Sequence, residues 1–320
     1  MTKAVMLLSG GLDSLVAAKL LLDQGIKLEG LTLTSPFCTC GGAAGGCAAA
    51  TRSAQQLGIP LKIVAKGRDY LEIVENPKHE RGRALNACID CRIYSFRKAA
   101  ELVGECGADF IATGEVVGQR PMSQTRYKLQ LIEKAAGLEG IVVRPLSARL
   151  LPPTIPEQRG LVDRQKLLAI GGRGRKPQME LAKKNNYGYD CPAGGCLLTE
   201  KEYSRKLVDL FEHKPYSLRD VLLLRVGRHY RLNGRAKVVL GRNEAENALL
   251  QKMAGDNALL EPDFPAPTAL VTRKASRALG EAAWLVLKHA KKKGRLFCDG
   301  KEIIPVAPSF CKRIGGGEAP

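Results

Sequence analysis

The feature that most constrains this chain is a double-glycine turn set between an apolar run and an amphipathic one. Ala4-Val5-Met6-Leu7-Leu8 reads as a buried strand, Ser9-Gly10-Gly11-Leu12-Asp13-Ser14 as the turn, and residues 12 to 24 as a helix that Gly25 stops. Adjacent glycines leave backbone N–H groups unobstructed, and the helix N-terminus adds its positive dipole end, so the turn suits a phosphate. The Ser9 and Ser14 hydroxyls can donate to phosphate oxygens, and Asp13 can hold Mg²⁺ or stabilise the turn. A serine-capped helix start is the plainer alternative. No Gly-Lys-Ser/Thr ends the loop, which argues against terminal phosphoryl transfer.

Strand patterns recur at 27 to 34, 61 to 64 and 109 to 113, alternating with helical patterns that end near Gly58 and span 92 to 105. This alternation predicts an α/β domain with a parallel sheet covered on both faces. Beyond Gly140 the rhythm breaks, and five prolines between 141 and 185 predict irregular segments joined by short helices. A helix over 199 to 212, capped by Thr199, closes against His213-Lys214-Pro215. The expected domains are therefore 1–212, including the basic irregular segment 141–185, and an α+β domain over 213–320.

The formal net charge of +18 favours a polyanionic partner, nucleic acid before an anionic membrane. No stretch approaches the roughly 20 apolar residues of a membrane span, and the start runs into the phosphate turn instead of a cleavage site, so a cytoplasmic protein is expected. Ten cysteines in a reducing compartment point to metal or redox chemistry. Cys88-Ile89-Asp90-Cys91 lies at a helix start beside Arg92, which favours the thiolate form, and Cys191 and Cys196 supply later thiols. Sulfur-only ligands suit either Zn²⁺ or an iron–sulfur cluster. Cys38, Cys40 and Cys47 form a further group able to relay sulfur, bind a metal or line a Gly-Ala loop, while Cys106 is expected to pack in the core.

The Ser9–Ser14 stretch is similar to the signature of the PP-loop ATP pyrophosphatases, an adenine nucleotide alpha hydrolase-like family that forms AMP and adenylates its substrate. The resemblance implies ATP and Mg²⁺ at Ser9, Gly10, Gly11, Leu12, Asp13 and Ser14, with adenine along Thr32 to Ser35, so that Thr32, Thr34 and Gly114 join the nucleotide set. Asn86 to Cys91, Ala112 to Gln124 and Pro192 to Thr199 resemble tRNA thiouridine synthases that pair the loop with a three-cysteine [4Fe-4S] site. That likeness implies Cys88, Cys91 and Cys196 as ligands, tRNA as substrate, and sulfide, a persulfide or a carrier protein as sulfur donor. Glu115 stands where the related persulfide thiolases have a histidine. Asp163 is a further catalytic candidate, with pairing to a neighbouring arginine as its alternative.

Arg120, Gln124, Arg173, Arg175 and Lys176 are candidate RNA contacts near the catalytic region. Arg228 and Arg242 are candidates further on, with Tyr230 able to stack on a base. Val226-Gly227-Arg228-His229 and Val239 to Asn247 resemble a small RNA-associated domain of ribosome-quality-control proteins. The activity this implies is ATP-dependent tRNA uridine thiolation. Its rivals are an adenylating enzyme with structural zinc and a non-sulfur nucleophile, and a non-catalytic RNA-binding factor.

Overall fold

The computed structural model describes residues 1–39, 47–189, 195–233, 236–272 and 276–316. Two compact units divide at Thr199 and Glu200. The sequence reading put the break at 212, one helix later.

The first unit opens with β1 (Lys3–Leu7), α1 (Leu12–Leu22), β2 (Lys27–Thr34), α2 (Ala48–Leu57) and β3 (Leu61–Ala65). It continues through α3 (Arg68–Glu75), α4 (Cys88–Cys106), β4 (Phe110–Thr113), α5 (Arg126–Ala136), β5 (Val142–Val143), α6 (Ile155–Gln158) and α7 (Lys176–Lys184). The described strands are all parallel and lie in the order β3-β2-β1-β4-β5. Helices cover both faces: Leu12, Leu15 and Leu21 of α1 pack with Ala54 of α2 and Ala182 of α7, while Ile93, Phe96 and Leu102 of α4 pack with Ile132 of α5. The α/β expectation therefore holds. Strand order reverses between β1 and β4, and the crevice beyond their carboxyl ends is where such sheets bind ligands. Ser9–Ser14 and Thr113-Gly114-Glu115 both emerge there.

The Pro-rich stretch is built of short helices joined by irregular segments. Pro156 and Pro177 sit in the first turns of α6 and α7, where a missing N–H costs nothing. The predicted Thr199 cap is not the one used: α8 (Lys201–Glu212) starts from Glu200, and the Thr199 hydroxyl donates instead to the Cys196 carbonyl at 2.7 Å.

The second unit adds α9 (Leu218–Leu223), β6 (Arg228–Leu232), β7 (Ala236–Leu240), α10 (Glu244–Lys252), β8 (Ala258–Pro262), β9 (Ala269–Val271) and α11 (Ser276–His289). Three short strands complete it: β10 (Leu296–Cys298), β11 (Lys301–Glu302) and β12 (Cys311–Ile314). They pair antiparallel in the order β11-β10-β8-β9-β7-β6-β12, giving a second domain of distinct class. One sheet face packs on α11 through Tyr230, Val238 and Leu260; the other carries Val239 and Leu270 against Leu223 and Leu250. Tyr230 is 0% exposed and its hydroxyl meets His289 Nε2 at 2.8 Å, so the expectation that it stacks on a base is overturned. Its neighbour Arg231 is buried in an ion pair with Asp209 at 2.5 Å. β6 is buried on both faces, so its basic residues are not one solvated strip. Among the described residues no helix is long and apolar enough to cross a membrane.

Candidate nucleotide and thiol site

The loop after β1 is held from three sides. Gly10 has φ +75, and a Cβ there would lie 2.5 Å from the Ala49 carbonyl carbon, so the turn needs glycine both for its conformation and for its approach to α2. The Ser14 hydroxyl donates to the Gly11 carbonyl at 2.9 Å and accepts from the Ser9 amide at 3.2 Å, which closes the turn on itself. Gly114 presses against the first turn of α1, where a Cβ would stand 2.5 Å from Ser14 N. Leu12 is a core residue, and the Thr32 hydroxyl bonds the Leu8 carbonyl; both shape the loop from below. Thr34, also buried, passes the chain on by accepting the Lys66 amide at 2.9 Å.

Asp13 stands at the head of α1 among groups from two other segments. Burial pushes its carboxyl above the ordinary range, opposed by Arg175, Gln119, Gln178 and Arg120. The Gln178 amide donates to Asp13 Oδ1 at 3.2 Å, leaving its own buried Oε1 without a protein partner. Gln119 also acts on Asp13, although its Nε2 makes no hydrogen bond within the protein. Thus Arg120 and Arg175, first picked out as RNA contacts, lie within electrostatic reach of the loop. Arg173 and Lys176 flank Arg175 on the exposed surface. Gln124 is buried, its amide donating to the Arg120 carbonyl at 2.8 Å, so it shapes the loop that presents Arg120. Beside Gly10 lies a cavity of about 260 Å³ lined by Ala49, Arg52, Ser53, Gln56 and Tyr189. A larger one, about 570 Å³, lies away from the loop between α5 and residues 139–157.

The thiols come from three segments. Cys88 and Cys91 occupy the first turn of α4, whose N-terminus has no side-chain cap and so offers positive potential to a thiolate. Residues 195–199 reach them through Leu85, whose amide donates to the Leu198 carbonyl at 3.1 Å. Cys196 and Cys38 face one another in an antiparallel bridge. Burial raises the Cys196 thiol to about 12, and Cys91, Cys38 and Cys88 act on it in the same direction. Cys88 is likewise raised, by burial and then Cys91, with its Sγ donating to Asn86 Oδ1 at 3.1 Å and Arg120 opposing. Cys91 behaves differently. Burial pushes it up, but Lys66, Tyr70 and Arg92 together hold it below the ordinary thiol range.

Lys66 is a residue of this thiol cluster that the sequence does not single out. It is 6% exposed, its Nζ donates to Cys91 Sγ at 3.0 Å and to Ser95 Oγ at 3.3 Å, and it lies 4.4 Å from the Tyr70 ring centroid. Its position directly after β3, at the carboxyl edge of the sheet, was the available signal. As placed, no three Cys, His, Asp or Glu side chains among the described residues enclose a metal position. The thiols suit a metal in donor type.

The other thiol candidates disperse. Cys47 is buried at the start of α2, and Cys106 packs against the core at the end of α4. Cys40 and Cys191 lie outside the described residues. Asp163 caps a short turn by accepting the Gln165 amide at 2.9 Å, and its own amide donates to Gln24 Oε1 at 2.8 Å. Gln24 follows the carboxyl end of α1, so Asp163 is held about 16 Å from the loop, the length of that helix. In the second unit Arg228 is half-buried, and the exposed Arg242 pairs with Glu246 at 2.5 Å.

Glu115 ties α4 to the segment that follows β5. It is buried, receives Arg92 at 2.7 Å and Arg144 at 3.1 Å, and is held below the ordinary carboxylate range because the two guanidinium groups outweigh the effect of burial. Its stabilising contribution is therefore complete above the unfolded carboxylate pKa of about 4.3 and is lost as pH falls through the lower folded value. Glu115→Gln should lower stability at neutral pH by about 3–5 kcal/mol and remove that acid-sensitive component; urea unfolding from pH 3 to 7 measures both effects.

Comparison with known proteins agrees with this architecture. Residues 2–136 match the tRNA methyl transferase HUP domain family, and residues 227–297 the NFACT protein RNA binding domain. The tRNA-specific 2-thiouridylase MnmA of Marinobacter nauticus is 34% identical over 143 residues, which is 41% of this chain and 36% of that protein. The same enzyme of Heliobacterium modesticaldum is 37% identical over 138 residues, 39% of this chain and 36% of the relative. The chain thus spans about a third of the length of these curated relatives. Among solved structures, the U34-tRNA thiolase NcsA from Methanococcus maripaludis with its [4Fe-4S] cluster is 20% identical, with 70% of this chain and 73% of that chain covered and a TM-score of 0.40. The first unit is thus a PP-loop-like parallel α/β domain similar over part of its length to the tRNA-specific 2-thiouridylases, and the second is a distinct domain with an antiparallel sheet.

Proposed function

We propose that this protein is an ATP-dependent tRNA uridine thiolase. The loop amides of Ser9–Ser14 would hold the phosphates of ATP, Asp13 its Mg²⁺, and the backbone from Thr32 to Ser35 its adenine. A uridine carbonyl oxygen attacks the α-phosphorus and pyrophosphate leaves, stabilised by the loop amides and the Arg120 and Arg175 guanidiniums. Sulfur then adds to the activated carbon and AMP departs with the original oxygen. Arg173 and Lys176 beside the loop, and Arg228 and Arg242 in the second unit, would contact tRNA phosphates.

One observation supports this reading: Arg92, next to Cys91 in the first turns of α4, donates to the Thr113 hydroxyl at 3.2 Å and pairs with Glu115 at 2.7 Å, while Gly114 between those two residues presses on the first turn of α1 beside the nucleotide loop. Cys88, Cys91 and Cys196 would hold a [4Fe-4S] cluster, which when bound supplies an iron free of cysteine at which sulfur can be delivered. Lys66 and Arg92 by their charge, and Tyr70 by a hydrogen bond, favour the ionised form of Cys91 that a ligand requires. The Lys66–Cys91 contact also favours a second reading, in which a cysteine carries the sulfur as a persulfide without metal.

Anaerobic reconstitution of the full chain with ferrous iron and sulfide, followed by incubation with unmodified tRNA and ATP, tests this. The expected result is a brown protein that forms a thiolated uridine, detected by nucleoside mass spectrometry. Thiolation by colourless protein supplied with a persulfide donor selects the second reading. ATP cleavage without any thiolated nucleoside overturns both.

A further inference from the structure

We infer that Cys38 and Cys196 form a thiol–disulfide exchange site, closing to a cross-strand disulfide when a small-molecule disulfide reaches them. The geometry of the bridge carries this. Leu197 N donates to Phe37 O at 2.8 Å and Thr39 N to Gly195 O at 3.3 Å, so the hydrogen bonds flank the two cysteines and leave them as the directly opposed, non-hydrogen-bonded pair. In such a pair the Cα atoms lie about 4.5 Å apart with both side chains on one face. A disulfide spans Cα separations of roughly 4.4–6.8 Å, so closure needs side-chain rotation and little backbone movement.

Gly195 permits this approach, because a Cβ there would lie 2.4 Å from Thr39 Oγ1. Both cysteines are free thiols of intermediate exposure, neither sealed in the core. Cys38 Sγ is already oriented by the Ser35 hydroxyl at 3.3 Å.

The exchange balances. One thiolate of the pair attacks the small disulfide and expels a thiolate, forming a mixed disulfide. The other cysteine then attacks the protein sulfur of that mixed disulfide and expels the second thiolate. The pair loses two protons and two electrons, and the small disulfide becomes two thiols. Closure occupies Cys196, which can then neither ligate metal nor carry sulfur. The linkage rests on backbone geometry alone, and its effect on activity rests on the thiolase reading.

The test uses the full chain incubated with oxidised glutathione, then alkylated, proteolysed and mapped by mass spectrometry. A Cys38–Cys196 linked peptide is expected, with thiolation falling roughly tenfold or more and returning on addition of dithiothreitol. Cys38→Ser, which preserves a hydroxyl beside Ser35, should lose the linked peptide and with it the response of the remaining thiolation to oxidised glutathione. Recovery of Cys38 as an alkylated or glutathione-bearing residue, or linkage of Cys196 to another cysteine, overturns the inference. A linked peptide in a protein that never thiolates tRNA leaves the pair standing and rejects the thiolase reading.

Discussion

Gly114→Ala is expected to lower ATP-to-AMP turnover about a hundredfold or more while the protein remains folded. The added methyl would lie 2.5 Å from Ser14 N and 2.6 Å from the Asp13 carbonyl carbon, backbone atoms of a helix that is itself fixed in the core. The first turn of α1 must shift, and the loop amides proposed to hold the phosphates shift with it. Overpacking of this kind costs about 1–3 kcal/mol, so the loss should fall on turnover before it falls on folding. Gly104→Ala is the matched control, since nothing lies within 4 Å of the Cβ position there. Release of AMP in the presence of tRNA, read beside a thermal melt, separates the two effects. Equal turnover by the two variants would reject the contact between β4 and the loop as a functional constraint.

Lys66→Met should have the largest effect at the thiols. The ammonium donates to Cys91 Sγ at 3.0 Å and is itself buried over Tyr70, so its removal takes away a direct partner of the ionised thiol and leaves burial to favour the protonated form. A buried group in that position takes up a proton, because ionisation without a partner costs several kcal/mol. Alkylation of Cys91 by iodoacetamide at neutral pH is expected to slow roughly tenfold or more, and thiolation about a hundredfold, with ATP affinity unchanged. Unaltered labelling of Cys91 would show that Tyr70 and Arg92 hold its charge without Lys66.

Much of the first unit was legible because its signals are local. The double glycine, the strand before it and the helix after it lie within two dozen residues, and Gly10 has the positive φ that such a turn requires. Cys88 and Cys91 were legible for the same reason, as a pair at a helix start. Long-range partnership was not. Nothing near Cys38 announces that residues 195–197 will run antiparallel beside it, and nothing near Arg92 announces Glu115 and Arg144. Charge is the other blind spot, since a buried lysine and a solvated one are written with the same letter. Lys66 was passed over on that account. Tyr230 reads as a base-stacking residue because basic residues dominate its surroundings, although β6 lies inside a sheet covered on both faces.

Asp163 illustrates a different limit. An aspartate among arginines is a fair catalytic candidate in one dimension, but its backbone is tied to Gln24, just beyond the far end of α1. Asp13 and Arg175, far apart in the chain, are by contrast brought into electrostatic reach by the packing of α7 on α1.

The account depends on the nucleotide loop and the thiols serving one uridine. Labelling the tRNA uridine carbonyl with ¹⁸O and following both products tests that dependence directly. Each thiolated nucleoside should be matched by one AMP carrying the heavy oxygen on its phosphate. Thiolated tRNA accompanied by unlabelled AMP, or labelled AMP with sulfur never incorporated, would contradict it.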